Sequence, residues 1–474
     1  MQKLQTSLQA FDETGVAGFH WKTVLTAGMG FFTDAYDLFI IGTVTAILAP
    51  LWHLDTVALS TLNATSLAAS VIGALVFGRL MDRFGRKAIY GLEVILLVVG
   101  ALISALAPSF LVLMIGRVIV GLGVGGDYPT SAVIMSEFAN RERRGFLVTM
   151  VFAMQGLGLL VGPLVAAGLL ASHLPHEIIW RVMLGLGALP AAAVFYLRRQ
   201  ISEPPRFLVT QGKTTEAQSV VSALTGRGAD EDAVPARQGL FSHRYLWTLL
   251  GTAGSWFLVD VTFYGNGVSE QVILKHLLPH TDLLQTTLVA AGIFAVAALP
   301  GYYLAAWQMD RIGRKRIQVI GFAVMAMAYA AIYFAPGIMD EVALFLALYM
   351  VSFFFIEFGP NTTTFLLPTE VFPTNVRGMG HGVSAAAGKA GAAIGAFLLP
   401  IVLAQVGLPP TLGILAVVSL AGVALTLFAI PEMKGQSLGM LEMTEEDAKS
   451  CCQGRPERCG IDVSRSERVV SYTE

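Results

Sequence analysis

The sequence predicts an all-α membrane protein with twelve transmembrane helices arranged as two six-helix bundles. Three observations predict this fold: an apolar composition, twelve long apolar segments, and a repeat between the two halves of the chain. Of the 474 residues, 55% are hydrophobic and 14% are charged, and the mean hydropathy is +0.66. Soluble domains carry about 25% charged residues. A soluble chain of this composition could not cover its surface with polar side chains.

The composition also excludes several other classes of protein. The formal net charge of −2 excludes a basic nucleic-acid-binding face. The first 20 residues are polar and do not resemble a cleavable signal peptide. All three cysteines, Cys451, Cys452 and Cys459, lie in the polar C-terminal tail without a nearby histidine. We therefore expect a solvent-exposed tail and no metal or cofactor, with lipidation of Cys451 and Cys452 as the alternative.

Twelve segments reach the length of about 20 apolar residues that a helix needs to cross a bilayer. They are 24–49, 59–81, 87–107, 109–137, 145–171, 178–198, 244–273, 284–308, 317–335, 340–367, 379–405 and 409–430. The one long polar connection lies between the sixth and seventh segments. We therefore divide the chain into an N-terminal bundle (1–198), a cytoplasmic linker (199–243), a C-terminal bundle (244–440) and a polar cytoplasmic tail (441–474).

Positive charge marks one side of the membrane. The connections after the even-numbered spans carry Arg79, Arg83, Arg86 and Lys87; Arg141, Arg143 and Arg144; Arg198, Arg199 and Arg206; Arg311, Arg314, Lys315 and Arg316; and Arg377. The opposite connections carry almost none, with Lys275 as the main exception. The positive-inside rule therefore predicts a multi-pass protein of the cell membrane with both termini in the cytoplasm.

The two halves repeat one another. Asp82-Arg83-Phe-Gly85-Arg86-Lys87 recurs 228 residues later as Asp310-Arg311-Ile-Gly313-Arg314-Lys315. A second echo, 233 residues apart, relates Glu137 and Arg144-Gly145 to Glu370 and Arg377-Gly378. Parallel repeats of six helices indicate two bundles that rock about a substrate site between them.

These repeated loops resemble the signature of the major facilitator superfamily. The segments Ser202-Glu-Pro-Pro-Arg-Phe-Leu208 and Pro431-Glu-Met-Lys-Gly-Gln-Ser-Leu438 resemble its sugar-porter-like branch, and the resemblance covers residues 20–440. It implies a gate on the cytoplasmic face, where we expect Asp and Arg to pair across the halves. The gating residues would be Asp82, Arg83, Gly85, Arg86, Asp310, Arg311, Gly313 and Arg314.

Ionisable residues inside the apolar spans are costly and mark functional sites. They are Asp34 and Asp37 in span 1, Glu93 in span 3, Arg117 and Asp127 in span 4, Asp260 in span 7, Glu357 in span 10 and Lys389 in span 11. We expect Glu93 and Glu357 to be less informative, because charges near helix ends can reach the membrane interface. Asp127, Asp260 and Lys389 lie in mid-segment and have no such explanation.

Span 7 carries a polar stripe. Trp256, Asp260 and Tyr264 recur every four residues and so share one helix face, which offers two hydrogen-bond donors and one acceptor. The alternative is an aromatic packing stripe with a structural Asp. Tyr128 adds a phenol beside Asp127, and Gln155 and Asn361 add amides that could equally bond neighbouring helices.

Long matches in four spans resemble the phosphate:proton symporters of the superfamily. They are Gly30-Phe-Phe-Thr-Asp-Ala-Tyr-Asp-Leu-Phe39, Gly125-Gly-Asp-Tyr-Pro129 with Met135-Ser-Glu-Phe-Ala-Asn140, Gly359-Pro-Asn-Thr-Thr-Thr-Phe365 with Glu370-Val-Phe-Pro-Thr374, and His381-Gly-Val-Ser-Ala-Ala-Ala-Gly-Lys389. The resemblance implies a phosphate site of Tyr128, Gln155, Trp256, Asp260, Tyr264, Asn361 and Lys389. It implies proton-handling carboxylates at Asp34, Asp127, Asp37 and Glu93, and it leaves open which helix-1 Asp matters more.

The residues suit monobasic phosphate, which has both acceptor oxygens and O–H donors. The phenols, the indole and the amides can donate to its oxygens, and Asp260 can accept from its O–H. An ionised Asp260 would repel sulfate, which has no proton to donate. Lys389 would balance the negative charge. Because Asp127 adjoins Tyr128, anion binding and protonation of Asp127 should favour each other.

The predicted function is import of inorganic phosphate with protons by a membrane transporter, for which a monomer suffices. A proton-coupled symporter of an organic acid or sugar is the same-class alternative. A phosphate-sensing membrane receptor is the alternative of another class, although the tail holds no recognisable signalling module. No catalytic triad, metal cluster or phosphate-binding loop supports an enzyme.

Overall fold

The computed structural model describes residues 7–226, 234–235, 238–268 and 270–442, and these contain no β-strand. Twelve helices within them are long and apolar enough to cross a membrane, which confirms the predicted number. They are α1 Gly18–Leu51, α2 Thr56–Phe84, α3 Arg86–Ala105, α4 Phe110–Phe138, α5 Arg144–Ala171, α6 His176–Arg199, α7 Tyr245–Gly267, α8 Leu283–Ile312, α9 Arg314–Phe334, α10 Val342–Val371, α11 Arg377–Val406 and α12 Leu408–Ala429.

The outer surface of these helices is apolar. Large hydrophobic side chains such as Leu111, Val417 and Phe428 are exposed. Only helices with internally bonded backbones and apolar outer faces are stable in the hydrocarbon core of a bilayer. The chain is therefore a multi-pass membrane protein.

The repeated glycines make the same sharp turn in both halves. Gly85 joins α2 to α3 with φ of 102°, and Gly313 joins α8 to α9 with φ of 103°. This backbone conformation favours glycine because it has no β-carbon. A β-carbon at either position would also collide with a carboxylate, lying 2.8 Å from Glu203 Oε2 or 2.4 Å from Glu432 Oε2.

Those two carboxylates cap the helices that follow the turns. Glu203 Oε1 accepts a hydrogen bond from the Arg86 backbone N–H at 2.6 Å, and Glu432 Oε1 accepts one from the Arg314 N–H at 3.0 Å. A carboxylate at a helix N-terminus satisfies amides that have no partner within the helix. Burial raises the pKa of Glu203, although the Arg86 amide and guanidinium partly offset it. The segments after α6 and α12 are thus structural counterparts.

Two features differ from the predictions. The sequence predicts that span 7 reaches residue 273, but the helix that contains α7, His243–Val268, ends earlier, and a separate helix, Glu270–Leu277, follows. Gly265 and Gly267 in the last turn weaken the helix, and Gly267 packs against the ring of Phe39. The predicted linker contains two short helices, Pro205–Thr210 and Thr214–Thr225. The tail cysteines lie outside the described residues.

The halves α1–α6 and α7–α12 meet most closely where α2 packs against α11. A β-carbon on Gly78 would lie 2.6 Å from the Gly378 carbonyl oxygen, and one on Gly382 would lie 2.5 Å from the Ala74 carbonyl oxygen. Small residues let two helix backbones approach at this distance. A second contact pairs α5 with α8.

Candidate substrate and proton sites

The predicted substrate residues lie together between the halves. The hydroxyls of Tyr128 on α4 and Tyr264 on α7 are 3.2 Å apart. Gln155 Nε2 on α5 donates to Tyr128 Oη at 3.3 Å, and Lys389 Nζ on α11 donates to Tyr264 Oη at 2.8 Å. All four side chains are buried. A polar cluster therefore bridges the two halves at their centre.

Lys389 supplies the positive charge of this cluster. Its Nζ lies 3.7 Å from Asp260 Oδ2. The same nitrogen lies 3.9 Å from the ring centroid of Tyr128 and 4.4 Å from that of Tyr264. Among the residues that the structure describes, neither oxygen of Asp260 accepts a hydrogen bond. The carboxylate of Asp260 is thus balanced in charge but keeps its acceptor positions available.

Trp256 closes one wall of the cluster. Its ring centroid lies 5.9 Å from that of Tyr128, and the indole is buried. Gly388, next to Lys389, makes room for the indole, since a β-carbon there would lie 2.4 Å from Trp256 Cδ1. The motif Gly388-Lys389 therefore places a cation and an indole side by side.

Asn361 joins the cluster through a tyrosine that sequence reasoning missed. Tyr302 Oη on α8 donates to Gln155 Oε1 at 2.6 Å and accepts from Asn361 Nδ2 at 2.8 Å. The same Nδ2 lies 2.6 Å from Glu357 Oε2. A tyrosine in an apolar span gives little signal, because tyrosine is common in packed helices.

Glu357, which the sequence made a less informative candidate, lies within this polar network. It is fully buried. A wide turn of α10, Glu357–Asn361, contains Pro360 and a Gly359 with φ of −109° and ψ of −110°. Glu357 and Asn361, four residues apart, bond to each other across this irregular turn.

The two helix-1 carboxylates have different surroundings. Asp37 Oδ1 accepts from Arg117 Nη1 at 2.8 Å, in a buried ion pair. Asp34 is fully buried, and neither of its oxygens has a hydrogen-bond partner in the described part of the chain. The structure thus separates two residues that the sequence could not rank.

Glu93 and Asp127 share one guanidinium. Arg198 Nη1 donates to Glu93 Oε1 at 2.7 Å and to Asp127 Oδ1 at 2.7 Å, and its Nη2 donates to Asp127 Oδ2 at 3.0 Å. Arg198 was counted among the basic residues of a cytoplasmic connection, but it lies within α6, which extends to Arg199, and all three side chains are fully buried. Two unbalanced carboxylates in spans 3 and 4 were the signal that a nearby cation existed.

The motif aspartates contact helix ends in the opposite half. Asp82 accepts from the Gly378 N–H at 3.0 Å and the Met379 N–H at 2.7 Å, in the first turn of α11. Asp310 accepts from the Gly145 N–H at 3.1 Å and from the next amide at 2.8 Å, in the first turn of α5. Each half therefore caps a helix of the other.

We expected the motif arginines to pair with aspartates of the opposite half. In the structure they pair with the aspartate of their own half or point outward. Arg86 and Arg314 lie 3.4 and 3.0 Å from the Asp of their own loop. Arg83 and Arg311 are exposed and lie over neighbouring aromatic rings. Two ion pairs join the halves instead: Arg377 Nη1 with Glu137 Oε1, at 3.0 Å, and Arg144 Nη1 with Glu370 Oε1, at 3.9 Å.

No group of three or more His, Cys, Asp or Glu among the described residues could hold a metal ion. Hydroxyl, amide, indole and ammonium donors lie with the carboxylates of Asp260 and Glu357 between the two halves. This combination can bind a small anion that also carries a proton.

Comparisons with known proteins identify relatives over most of the chain. The sequence profile of a family described as "Sugar (and other) transporter" matches residues 17–444. "Probable inorganic phosphate transporter 1-12" of Oryza sativa subsp. japonica is 34% identical, over 96% of this chain and 97% of that protein. "Putative inorganic phosphate transporter 1-13" of the same organism is 37% identical, over 94% of this chain and 96% of that protein.

A solved structure confirms the fold. The proton:xylose symporter XylE, a major facilitator superfamily protein bound to 6-bromo-6-deoxy-D-glucose, superposes with a TM-score of 0.75. The match covers 90% of this chain and 99% of that one, at 19% sequence identity.

Proposed function

This chain belongs to the inorganic phosphate transporters of the major facilitator superfamily, and we propose that it imports phosphate together with protons. It is a transporter and not an enzyme. The observation that carries the proposal is the buried cluster in which Lys389 balances Asp260 while both Asp260 oxygens keep free acceptor positions. A cation beside a carboxylate that can still accept hydrogen bonds suits an anion that also carries a proton.

We propose that phosphate binds among Tyr128, Gln155, Trp256, Asp260, Tyr264, Asn361 and Lys389. Tyr128 and Tyr264 bond to each other, and Lys389 bonds to Tyr264. Phosphate oxygens would take the place of these acceptors, so each donor would exchange one bond for another. Charge-assisted bonds of this kind are about twice as strong as neutral ones.

Asp260 would select for a protonated anion. Its carboxylate can accept a hydrogen bond from a phosphate O–H. Sulfate has no proton to donate at neutral pH, so its oxygens would face a buried carboxylate at close range. The penalty of an unpaired, repelled charge in a buried site exceeds the gain from its other contacts.

The carboxylates that take part in proton coupling would be Asp34, Asp37, Glu93 and Asp127. We propose that Asp34 is the helix-1 residue that exchanges the proton, because Asp37 is already in an ion pair with Arg117. If more than one proton accompanies each phosphate monoanion, net positive charge moves inward with the membrane potential.

Transport would proceed by rocking of the bundles 1–198 and 244–440, connected by the linker 199–243. The contacts of Asp82 and Asp310 across the halves would form the cytoplasmic gate, with both termini and the tail from 441 on the cytoplasmic side of the plasma membrane. The partners are then phosphate, protons and the lipid bilayer, and one chain contains the whole site.

The test is uptake of radiolabelled phosphate into proteoliposomes with and without an inward proton gradient. Wild-type protein is compared with Asp260→Asn and with Asp282→Asn, a matched control that alters a helix-capping carboxylate far from the site. Gradient-dependent uptake that sulfate does not inhibit, and that only Asp260→Asn loses, supports the proposal. Folded wild-type protein that accumulates no phosphate refutes it and favours an organic acid or a sugar as the substrate.

A further inference from the structure

Arg198 occupies an unusual position for a guanidinium. It lies one residue before the end of α6 and is fully buried. Besides its bonds to Glu93 and Asp127, it lies over the ring of Tyr90, 4.8 Å from the centroid, and its Nη2 is 3.5 Å from the Ala27 carbonyl oxygen on α1. The guanidinium therefore contacts α1, α3 and α4 from within α6.

Helix α1 rests directly on the Arg198–Asp127 pair. A β-carbon at Gly30 would lie 1.7 Å from Asp127 Oδ2 and 2.1 Å from Arg198 Nη2. Asp34 follows Gly30 by four residues and so lies on the same face of α1. Asp34 interacts electrostatically with Asp127, Arg198 and Lys389. The ion pair is thus seated beneath the one helix-1 carboxyl that has no hydrogen-bond partner of its own.

The charges in this region are unequal. One guanidinium faces two carboxylates, and the phenol of Tyr90 is the other titratable group in contact with it. Asp34 and Asp37 on α1, and beyond them Lys389 on α11, are further charged groups in this region. Both Glu93 oxygens also accept from the Gly91 N–H, at 2.8 and 2.9 Å, and Asp127 Oδ1 accepts from Ser131 Oγ at 2.6 Å. Both carboxylates are therefore held by several bonds at once, from the guanidinium and from neighbouring groups.

We propose that Arg198 is a positioning residue for proton coupling, which holds the carboxylates of Glu93 and Asp127 in place against α1 so that the transported proton is exchanged at Asp34. This inference rests on the proposed proton-coupled uptake of phosphate. It assigns different tasks to the carboxylates: Glu93 and Asp127 are fixed by the guanidinium, and Asp34 is the group free to change its charge. Protonation of Asp34 removes a charge that faces Asp127, which lets α1 move relative to the pair.

The test compares two rates in proteoliposomes at several internal pH values. Net uptake of phosphate requires proton release inside, whereas exchange of labelled for unlabelled phosphate at equal pH does not. In Arg198→Gln, two adjacent carboxylates lose their cation, and taking up a proton relieves their repulsion. We expect the pH profile of net uptake to move to more alkaline values by about one unit, a tenfold loss at neutral pH, while exchange falls less than threefold.

Three further variants make the result specific. Arg181→Gln changes an arginine at the other end of α6, in a partly exposed pair with Glu177, and should leave both rates unchanged. Arg198→Lys keeps the charge but loses the planar fork that bonds both oxygens of Asp127, so it should shift the profile in the same direction by less. Arg198→Gln combined with Asp127→Asn removes one charge of each sign and should return the profile toward that of the wild type.

An unchanged pH profile in Arg198→Gln, or equal losses of exchange and net uptake, would overturn the proposal in favour of a purely structural role. If Arg198→Gln does not fold, the shift in Arg198→Lys decides. Infrared spectroscopy of the detergent-solubilised protein gives a readout without substrate, in which Arg198→Gln should gain a titrating carboxyl signal that Asp127→Asn removes. Wild-type protein that transports no phosphate would refute the proposed function, whereas this signal tests the role of Arg198 separately.

Discussion

Replacing Asp82 by alanine should open the side of the molecule that the motif loops close. The carboxylate of Asp82 bonds two backbone amides at the start of α11, in the other half, at 3.0 and 2.7 Å. These bonds exist only while the halves are together. Their loss therefore changes the balance between closed and open forms more than it changes the stability of either half.

The size of the effect follows from the two bonds. A hydrogen bond to a charged group contributes about 1.5–3 kcal/mol, and a negative charge at a helix N-terminus adds about 0.3–1 kcal/mol. Asp82 is partly exposed, and water replaces its two bonds on opening. We therefore expect the substitution to remove about 2–4 kcal/mol of the free energy that favours the closed form. That corresponds to a shift of roughly 30- to 1,000-fold toward the open form.

The assay is a distance measurement between spin labels on opposite halves. Lys87 and Arg316 are exposed near the two loops and serve as sites for Lys87→Cys and Arg316→Cys, after Ser replaces the three native cysteines. Asp82→Ala should increase the population at long distance. Asp310→Ala should do the same through its own pair of amides, and the two effects should add because the sites are separate.

The control is Asp55→Ala, at the opposite end of the same helix as Asp82. Asp55 Oδ1 caps α2 by accepting from the Ala58 N–H at 2.8 Å, within one half. Its loss should cost about 1 kcal/mol of stability and leave the distances unchanged. Equal distance distributions for Asp82→Ala and Asp55→Ala would show that the contact across the halves does not hold the gate closed.

Three other predictions concern single side chains. Gly388→Ala places a methyl group 2.4 Å from the Trp256 ring, so the KM for phosphate should rise about tenfold, as one displaced contact of about 1.4 kcal/mol implies; an unchanged KM in uptake assays would show that the indole does not line the site. Tyr302→Phe leaves Gln155 Oε1 without its donor. A loss of about 1–3 kcal/mol should lower kcat/KM by roughly 5- to 150-fold. Wild-type kinetics in the variant would show that the Tyr302 hydroxyl, which links Gln155 to Asn361, takes no part in the mechanism. Burial raises the pKa of Glu270 from 4.5 to about 8, so its neutral form favours the folded state. The stability that it contributes should be lost as the pH rises from about 4.5 through 8. In detergent, the Tm of Glu270→Gln should lack this decline, and parallel plots of Tm against pH for the variant and the wild type would contradict the assignment.

The sequence was sufficient to predict the fold because a bilayer allows few structures. A chain with twelve apolar segments can satisfy its backbone in lipid only by forming helices. The repeat added the pairing of the halves, and Gly85 and Gly313 indeed make the same turn. Helix ends were less predictable, because the end of α7 depends on the packing of Gly267 against Phe39.

The candidate site was predictable where a residue is out of place in its own segment. Asp260 and Lys389 stand in apolar helices and therefore attract attention individually. Arg198 stands in a run of basic residues, and only the packing of α6 against α3 and α4 shows that it points inward. Tyr302 is ordinary for an apolar helix, and its role depends entirely on the two amides that it bonds. Such residues are defined by their partners and not by their sequence context.

The mutual bonding of the central donors has a consequence for the cycle as a whole. A symporter must return without cargo after each delivery, and that return passes through a form closed on both sides. Hydrogen bonds join four of the central side chains to one another: those of Tyr128, Tyr264, Gln155 and Tyr302. These four side chains can therefore stay bonded within the protein during that return. If phosphate were bound without its accompanying proton, its negative charge would be unbalanced in the buried site during the return. The side chains that bind phosphate therefore also disfavour its movement without a proton.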